Sequence, residues 1–184
     1  MATISRKGYG QVEPNHLSAQ KTGQIYAQLP AATKNSNGTL TAIAQLEQGQ
    51  FLKYDYQKGC ADLTGNGEWL LVYCEEKLYD ERRQNHKDFV LKATDFSDGY
   101  IYPRLFKTNI GDIYTTNTFG ANTNGPDAPV AGIALNVGET VDVGNDGFLK
   151  KVASGGTPTV PAFEVVKVYT MPDGQPGVKL QRVK

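Results

Sequence analysis

The sequence predicts an all-β fold: a β-barrel or β-sandwich with an extended N-terminal arm and at most one short helix. Runs rich in Val, Ile, Thr, Tyr and Phe recur at intervals of roughly 8–12 residues, as short strands do. Clusters of Gly, Asn, Asp and Pro with turn chemistry separate them. Composition agrees, since 20 Gly, 9 Pro and 10 Tyr against 2 Met in 184 residues favour a turn-rich β protein over a helical one.

Residues 1–22 are polar, contain Gly8, Gly10 and Pro14, and show no hydrophobic period. They read as an extended arm or a frayed, disordered tail, the functional alternative being an arm that orders on a partner, ahead of a single β-rich domain over 23–184 with a possible sub-boundary near 120–130. Residues 24–29 alternate with period 2 and stop at Pro30. Asn35-Ser36-Asn37-Gly38 is a turn, and 39–46 is the next strand. A further strand covers 50–56, between Gly49 and Gly59. Thr64-Gly65-Asn66-Gly67 then turns into 68–74, EWLLVYC, which is apolar after Glu68 and predicts a central strand covered on both faces.

Residues 78–89, LYDERRQNHKDF, form the one candidate helix, although the apolar residues share a face only loosely and a charged loop fits equally well. The segment 100–119, YIYPRLFKTNIGDIYTTNTF, reads as a hairpin: two aromatic and β-branched strands joined by a turn at Asn109-Ile110-Gly111-Asp112. A loop with two prolines fills 120–130. Strands follow at 133–137, 140–143, 148–152, 163–169 and 177–183. Gly144-Asn145-Asp146-Gly147 and Pro172-Asp173-Gly174 turn the chain between them. Similar phrases open at Gly23, Gly49 and Gly111, but their irregular spacing excludes a solenoid.

Lys+Arg and Asp+Glu both number 19, so no net charge draws the chain to nucleic acid or to a membrane surface. MATISRKGYG lacks the apolar core of a signal peptide, and no apolar run approaches the ~18 residues of a membrane span, so synthesis in the cytoplasm is expected. Cys60 and Cys74 flank one turn and read as two reduced thiols, with a disulfide across that turn as the alternative.

The sequence offers no coherent catalytic set, cofactor fingerprint or metal set, and the chain is read as a non-enzyme. His16 and His86 lie in polar segments far from both cysteines. Glu75-Glu76, Asp80-Glu81 and Asp95/Asp98 read as solvated acids, more simply than as a glycosidase pair. Asp62 to Gly67 and Gly144 to Gly147 look like fragments of calcium loops, yet lack the full ligand spacing and read as turns. Tyr and Trp69 keep sugar stacking open, with core or interface packing the simpler use. The segment 100–119 offers Tyr, Thr, Asn, Lys and Arg as contact surface, so the residues point to a protein that binds another surface.

At LYDERRQNHKDF, YPRLFKTNIGDIYTTNTF and VVKVYTMPDGQPGVKLQRV the sequence resembles a family of small structural proteins of tailed bacteriophages, many of them capsid decoration (cement) proteins. The resemblance covers about residues 46–119 and 163–183 and is one of phrasing and spacing. It implies a β-rich virion protein bound to the major capsid protein on the outer surface of the head, which it stabilises. Lambda-type members bind as trimers at local threefold positions, often with an N-terminal arm laid along the capsid. This chain is longer than those. Self-association is therefore expected, a trimer ahead of a dimer. Tyr and Arg are favoured interface anchors, so the candidate contacts are Ile4 and Tyr9 in the arm, with Tyr102, Arg104 and Tyr114 in the hairpin. The alternative is another virion part, a tail or head-fibre protein that binds glycans.

Overall fold

A computed structural model describes residues 1–12, 25–74, 90–125 and 128–184. Within them the chain is all-β, with sixteen strands and a single 3-10 turn at Ala93–Asp95. The helix expected at 78–89 and the second half of the expected arm lie outside the described residues.

Two antiparallel five-stranded sheets form the body. The central sheet runs in the order β2 (Ile25–Tyr26), β10 (Leu105–Phe106), β8 (Trp69–Val72), β6 (Phe51–Asp55) and β7 (Cys60–Asp62). The outer sheet runs β11 (Ile113–Thr116), β16 (Pro176–Arg182), β15 (Ala162–Thr170), β13 (Thr140–Val143) and β14 (Leu149–Lys151). Three two-stranded ladders complete the fold: β1 (Ala2–Lys7) with β12 (Pro129–Leu135), β3 (Ala32–Lys34) with β4 (Leu40–Ala42), and β5 (Gln45–Glu47) with β9 (Val90–Lys92).

The apolar run of β8 dictates this layering. Successive side chains of a strand point to opposite faces. Trp69, Leu71 and Tyr73 enter one core, where Phe51 of the central sheet meets Tyr114, Val141, Phe163 and Leu180 of the outer one. Leu70, Val72 and Cys74 enter a second core with Leu46, Leu52, Ile101 and Leu105. The central sheet is thus covered on both faces, as its sequence predicts. The ring of Phe163 joins the two sheets, with centroids 5.8 Å from Phe51 and 5.4 Å from Tyr114. Burying side chains of this size contributes roughly 1.5–3 kcal/mol each, so this apolar junction outweighs any exposed ion pair in holding the layers together.

Both late hairpins form where the turn residues place them. β13 and β14 are joined through Gly147, whose φ of +79° suits a residue without a side chain; its amide donates to Gly144 O at 3.0 Å. β15 and β16 are closed by the amide of Met171 on Gln175 O at 2.8 Å.

The segment 100–119 is not a hairpin. Its turn is present, with the Asp112 amide 3.0 Å from Asn109 O, but the two strands enter different sheets. β10 pairs with β8 and β2, whereas β11 pairs with β16. Arg182 diverts the chain: its carbonyl accepts from Gly111 N at 2.8 Å and its amide donates to Asp112 O at 2.9 Å. The turn becomes a crossover between layers.

Residues 1–12 are not a free arm either. β1 pairs with β12, with Ile4 opposite Ile133, and Val12 bridges to Thr116. Ile4, Tyr9 and Val12 are buried. The alternation that buries Ile4 and Arg6 while exposing Thr3, Ser5 and Lys7 is that of a half-buried strand.

Both cysteines are buried and neither is in a disulfide. The register places Cys60 opposite Asp55, whereas Cys74 is held by Gln48. Leu71 of β8 lies opposite Phe51, so Cys74 lies beyond the Phe51 end of β6 while Cys60 faces its Asp55 end, and those two ends are on the order of 13 Å apart. A disulfide needs Cα atoms within about 7 Å, so this geometry excludes one.

Candidate interaction surface

A buried polar clip ties the N-terminal segment to the body. β5 carries Glu47 inward, where its carboxylate meets the Arg6 guanidinium of β1 at 2.9 Å. The same carboxylate accepts from the amides of Gly10 and Asn122, each at 2.7 Å. Arg6 also donates to the carbonyls of Gly8 and Gly120. Burial pulls the guanidinium below its ordinary pKa, and Glu47 opposes that shift. Around this pair Thr116 Oγ1 donates to Gln11 O at 2.6 Å and Thr118 Oγ1 to Gln48 O at 2.8 Å. Asn117 Oδ1 accepts from the Gln11 amide at 3.1 Å. The Thr-Thr-Asn-Thr run, expected as contact surface, is internal wiring instead.

Residues 100–106 present the opposite arrangement. Ile101, Pro103 and Leu105 are buried, while Tyr100, Tyr102 and Arg104 lie at the surface or partly so. The backbone is held on both sides, with Ile101 O accepting from Ala31 N at 2.8 Å and Arg104 O from Tyr73 N at 3.0 Å. Tyr102 is 42% exposed, and its hydroxyl donates to Asp98 Oδ2 at 3.0 Å, which raises the phenol pKa. Tyr100 donates its hydroxyl to Leu40 O at 3.2 Å and its amide to Asp98 Oδ1 at 3.1 Å. Asp98 therefore orients two tyrosines of an outward row on a fixed backbone.

The five sequence-nominated contacts therefore separate. Tyr102 and Arg104 share the outward row, whereas Ile4, Tyr9 and Tyr114 are buried within this chain and offer no anchor to a partner on its surface. A second aromatic group lies outside these five residues. Tyr26, Tyr54 and Tyr56 form a ladder with centroids 5.2 and 5.0 Å apart, and Tyr56 at its end is 66% exposed. The spacing Tyr54-Asp55-Tyr56 is the signal, since residues two apart share one face of an extended chain.

Turn chemistry accounts for the calcium-like fragments. Asp62 accepts from Thr64 N at 3.1 Å, Gly65 N at 2.5 Å and Lys58 Nζ at 3.1 Å, so donors already surround the carboxylate. Among the described residues no group of three His, Cys, Asp or Glu is placed to hold a metal, and no helix is long and apolar enough to cross a membrane. His16, His86 and the acids at 75–81 lie outside the described residues. Comparison with protein-family models, curated proteins and solved structures gives no match.

Proposed function

We propose that this chain is a structural protein of a tailed-bacteriophage virion, a decoration protein that binds the outer surface of the major capsid protein shell and stabilises the head. The phrasing of residues 46–119 and 163–183 supplies the phage setting. The observation that carries the docking role is the outward row of Tyr100, Tyr102 and Arg104, clamped from beneath by Ile101, Pro103 and Leu105. Tyr and Arg supply large contact area and several donors. A row whose backbone is already fixed loses little conformational freedom on docking, and more of its contact energy survives as affinity. Copies repeated over a symmetric shell, self-associated or not, multiply modest contacts by avidity.

Adding the purified protein to heads assembled without it tests this reading. Binding, with greater resistance of the heads to heat or chelator, is expected. A Tyr102→Ala/Arg104→Ala double variant should bind at least about tenfold more weakly, the equivalent of one or two anchors at 1–2 kcal/mol. Its thermal melting should match that of the parent chain, because neither side chain enters a core. Wild-type protein that leaves the heads bare overturns the reading.

A second reading rests on Tyr56. Tyr54 meets that ring edge-on at 80°, and the exposed remainder suits sugar stacking in a tail or head-fibre protein. Glycan-array binding lost in Tyr56→Ala, without capsid affinity, would favour it.

A further inference from the structure

The chain holds three Asn-Gly pairs, at 37–38, 66–67 and 124–125. We propose that the third is a site of spontaneous deamidation, reacting ahead of the other two in the folded protein and loosening the loop that caps Glu47. In an Asn-Gly pair the following amide nitrogen reaches the asparagine side chain most easily, because glycine puts no side chain in the way and lets the backbone rotate. Gly125 N gives up its proton to hydroxide and attacks Asn124 Cγ, and the side-chain nitrogen leaves as ammonia. The five-membered imide so formed then takes up one water. Opening at Cγ gives aspartate, whereas opening at the main-chain carbonyl gives an isoaspartate whose backbone runs through the side chain.

The fold sets the three pairs apart. Asn37 is exposed, but the nitrogen that would attack it is engaged, since Gly38 N donates to Asn35 O at 2.9 Å. Asn37 Oδ1 also accepts from Thr39 N at 3.0 Å, which fixes the side chain. Asn66 is exposed too, yet Gly67 is wedged on β6, where a side-chain carbon would collide with the Tyr54 backbone. That pair has no room to turn and close the ring. The Asp55 carboxylate accepts from the Asn66 amide as well, and its charge opposes loss of a proton next door. Neither obstacle stands at 124–125. Asn124 is exposed, and among the described residues its side chain and Gly125 N make no hydrogen bond. A side-chain carbon on Gly125 would meet nothing within 4 Å.

The reaction reaches the polar clip through Asn122. Its amide donates to Glu47 at 2.7 Å, and its side chain buckles the residues that follow. Oδ1 accepts from Asn124 N at 2.9 Å, and Nδ2 donates to Gly125 O at 2.6 Å. Isoaspartate puts one more atom into the main chain between those two bonds, so the buckle no longer closes at its present length. This inference does not rest on the capsid reading.

Peptide mapping of the full chain, kept folded at mildly alkaline pH, tests it. The first peptide to gain the mass of an amide-to-acid exchange should contain residue 124, as both aspartate and isoaspartate. The hydrogen bond on Gly38 N should hold Asn37 back roughly two- to tenfold. In denaturant the three pairs should converge, because the ordering comes from the fold. Asn124→Gln, whose longer side chain needs a larger ring, should remove the early acidic species and leave the melting profile unchanged. In the reacted fraction, separated by charge, the Asn122 amide should exchange faster. Earlier reaction at Asn37 or Asn66, no reaction at Asn124, or the same ordering in denaturant overturns the proposal. Unchanged exchange at Asn122 overturns the coupling to the clip. If Asn124→Gln fails to fold, the wild-type time courses, folded and denatured, decide alone.

Discussion

Arg6 and Glu47 form an ion pair of 2.9 Å whose side chains are 1% and 2% exposed. It joins β1 to β5, two strands of different ladders, and Glu47 also accepts hydrogen bonds from the amides of Gly10 and Asn122. Taking both ions out of water costs several kcal/mol each, and only close geometry with further hydrogen bonds offsets that. The pair therefore specifies where the N-terminal segment sits more than it adds stability.

Breaking one side should be severe. Glu47→Ala leaves a buried guanidinium without its counter-charge and two amides without an acceptor, for an expected loss of about 3–5 kcal/mol. Chemical denaturation would read it as a lower midpoint, and amide exchange should quicken over residues 2–12. A loss below about 1 kcal/mol would show that the β1–β12 ladder and the burial of Ile4 and Val12 hold the segment without the ion pair.

Tyr114 tests the opposite case. Its ring is fully buried against Phe163, its hydroxyl has no hydrogen-bond partner among the described residues, and burial pushes the phenol well above its ordinary pKa. Tyr114→Phe should be neutral or stabilising by up to about 1–3 kcal/mol, since it removes an unsatisfied polar group. Tyr114→Ala should cost about 3–5 kcal/mol by opening a cavity between the sheets. A destabilised Phe variant would reveal a partner for the hydroxyl.

These residues also show what the sequence makes legible. The continuous apolar run of β8 reads directly as a strand covered twice, and Asp146-Gly147 reads directly as a hairpin turn. β1 hides because its second inward position is Arg6, a charge that breaks the visible alternation unless a distant carboxylate is known to meet it. The crossover at 109–112 hides for a related reason: its turn chemistry is local, whereas its strand partners β8 and β16 lie far along the chain in opposite directions. In the candidate surface, Tyr102 and Arg104 are legible by residue type. Their shared orientation depends on burial of Ile101, Pro103 and Leu105, and that emerges only from the packed second core.

The cysteines give a direct check of the central sheet's register. With Cys60 and Cys74 at opposite ends and both buried, the native chain should resist thiol reagents. Denatured without reductant, it should take up two equivalents of alkylating agent. No uptake, with a mass two hydrogens lower, would mean a Cys60–Cys74 disulfide and so that β6, β7 and β8 are paired in another register.

Glu139 and Lys151 contribute one pH-dependent interaction. Lys151 Nζ lies 2.8 Å from Glu139 Oε1, and Asn136 donates its backbone amide at 2.9 Å to Oε2. The lysine hydrogen bond first, then those from Asn136, lower the carboxyl pKa from 4.5 to about 2. A carboxyl pKa depressed by folding stabilises the fold above its ordinary value. That contribution fades as pH falls from about 4.5 and is gone once pH drops through about 2. Carboxyl-carbon NMR should therefore find Glu139 titrating near the bottom of the accessible range. Lys151→Met should raise its midpoint while the Asn136 bonds keep it below the ordinary value. A Glu139 midpoint already near 4.5 in the parent chain would show that Lys151 and Asn136 do not hold the carboxylate in solution.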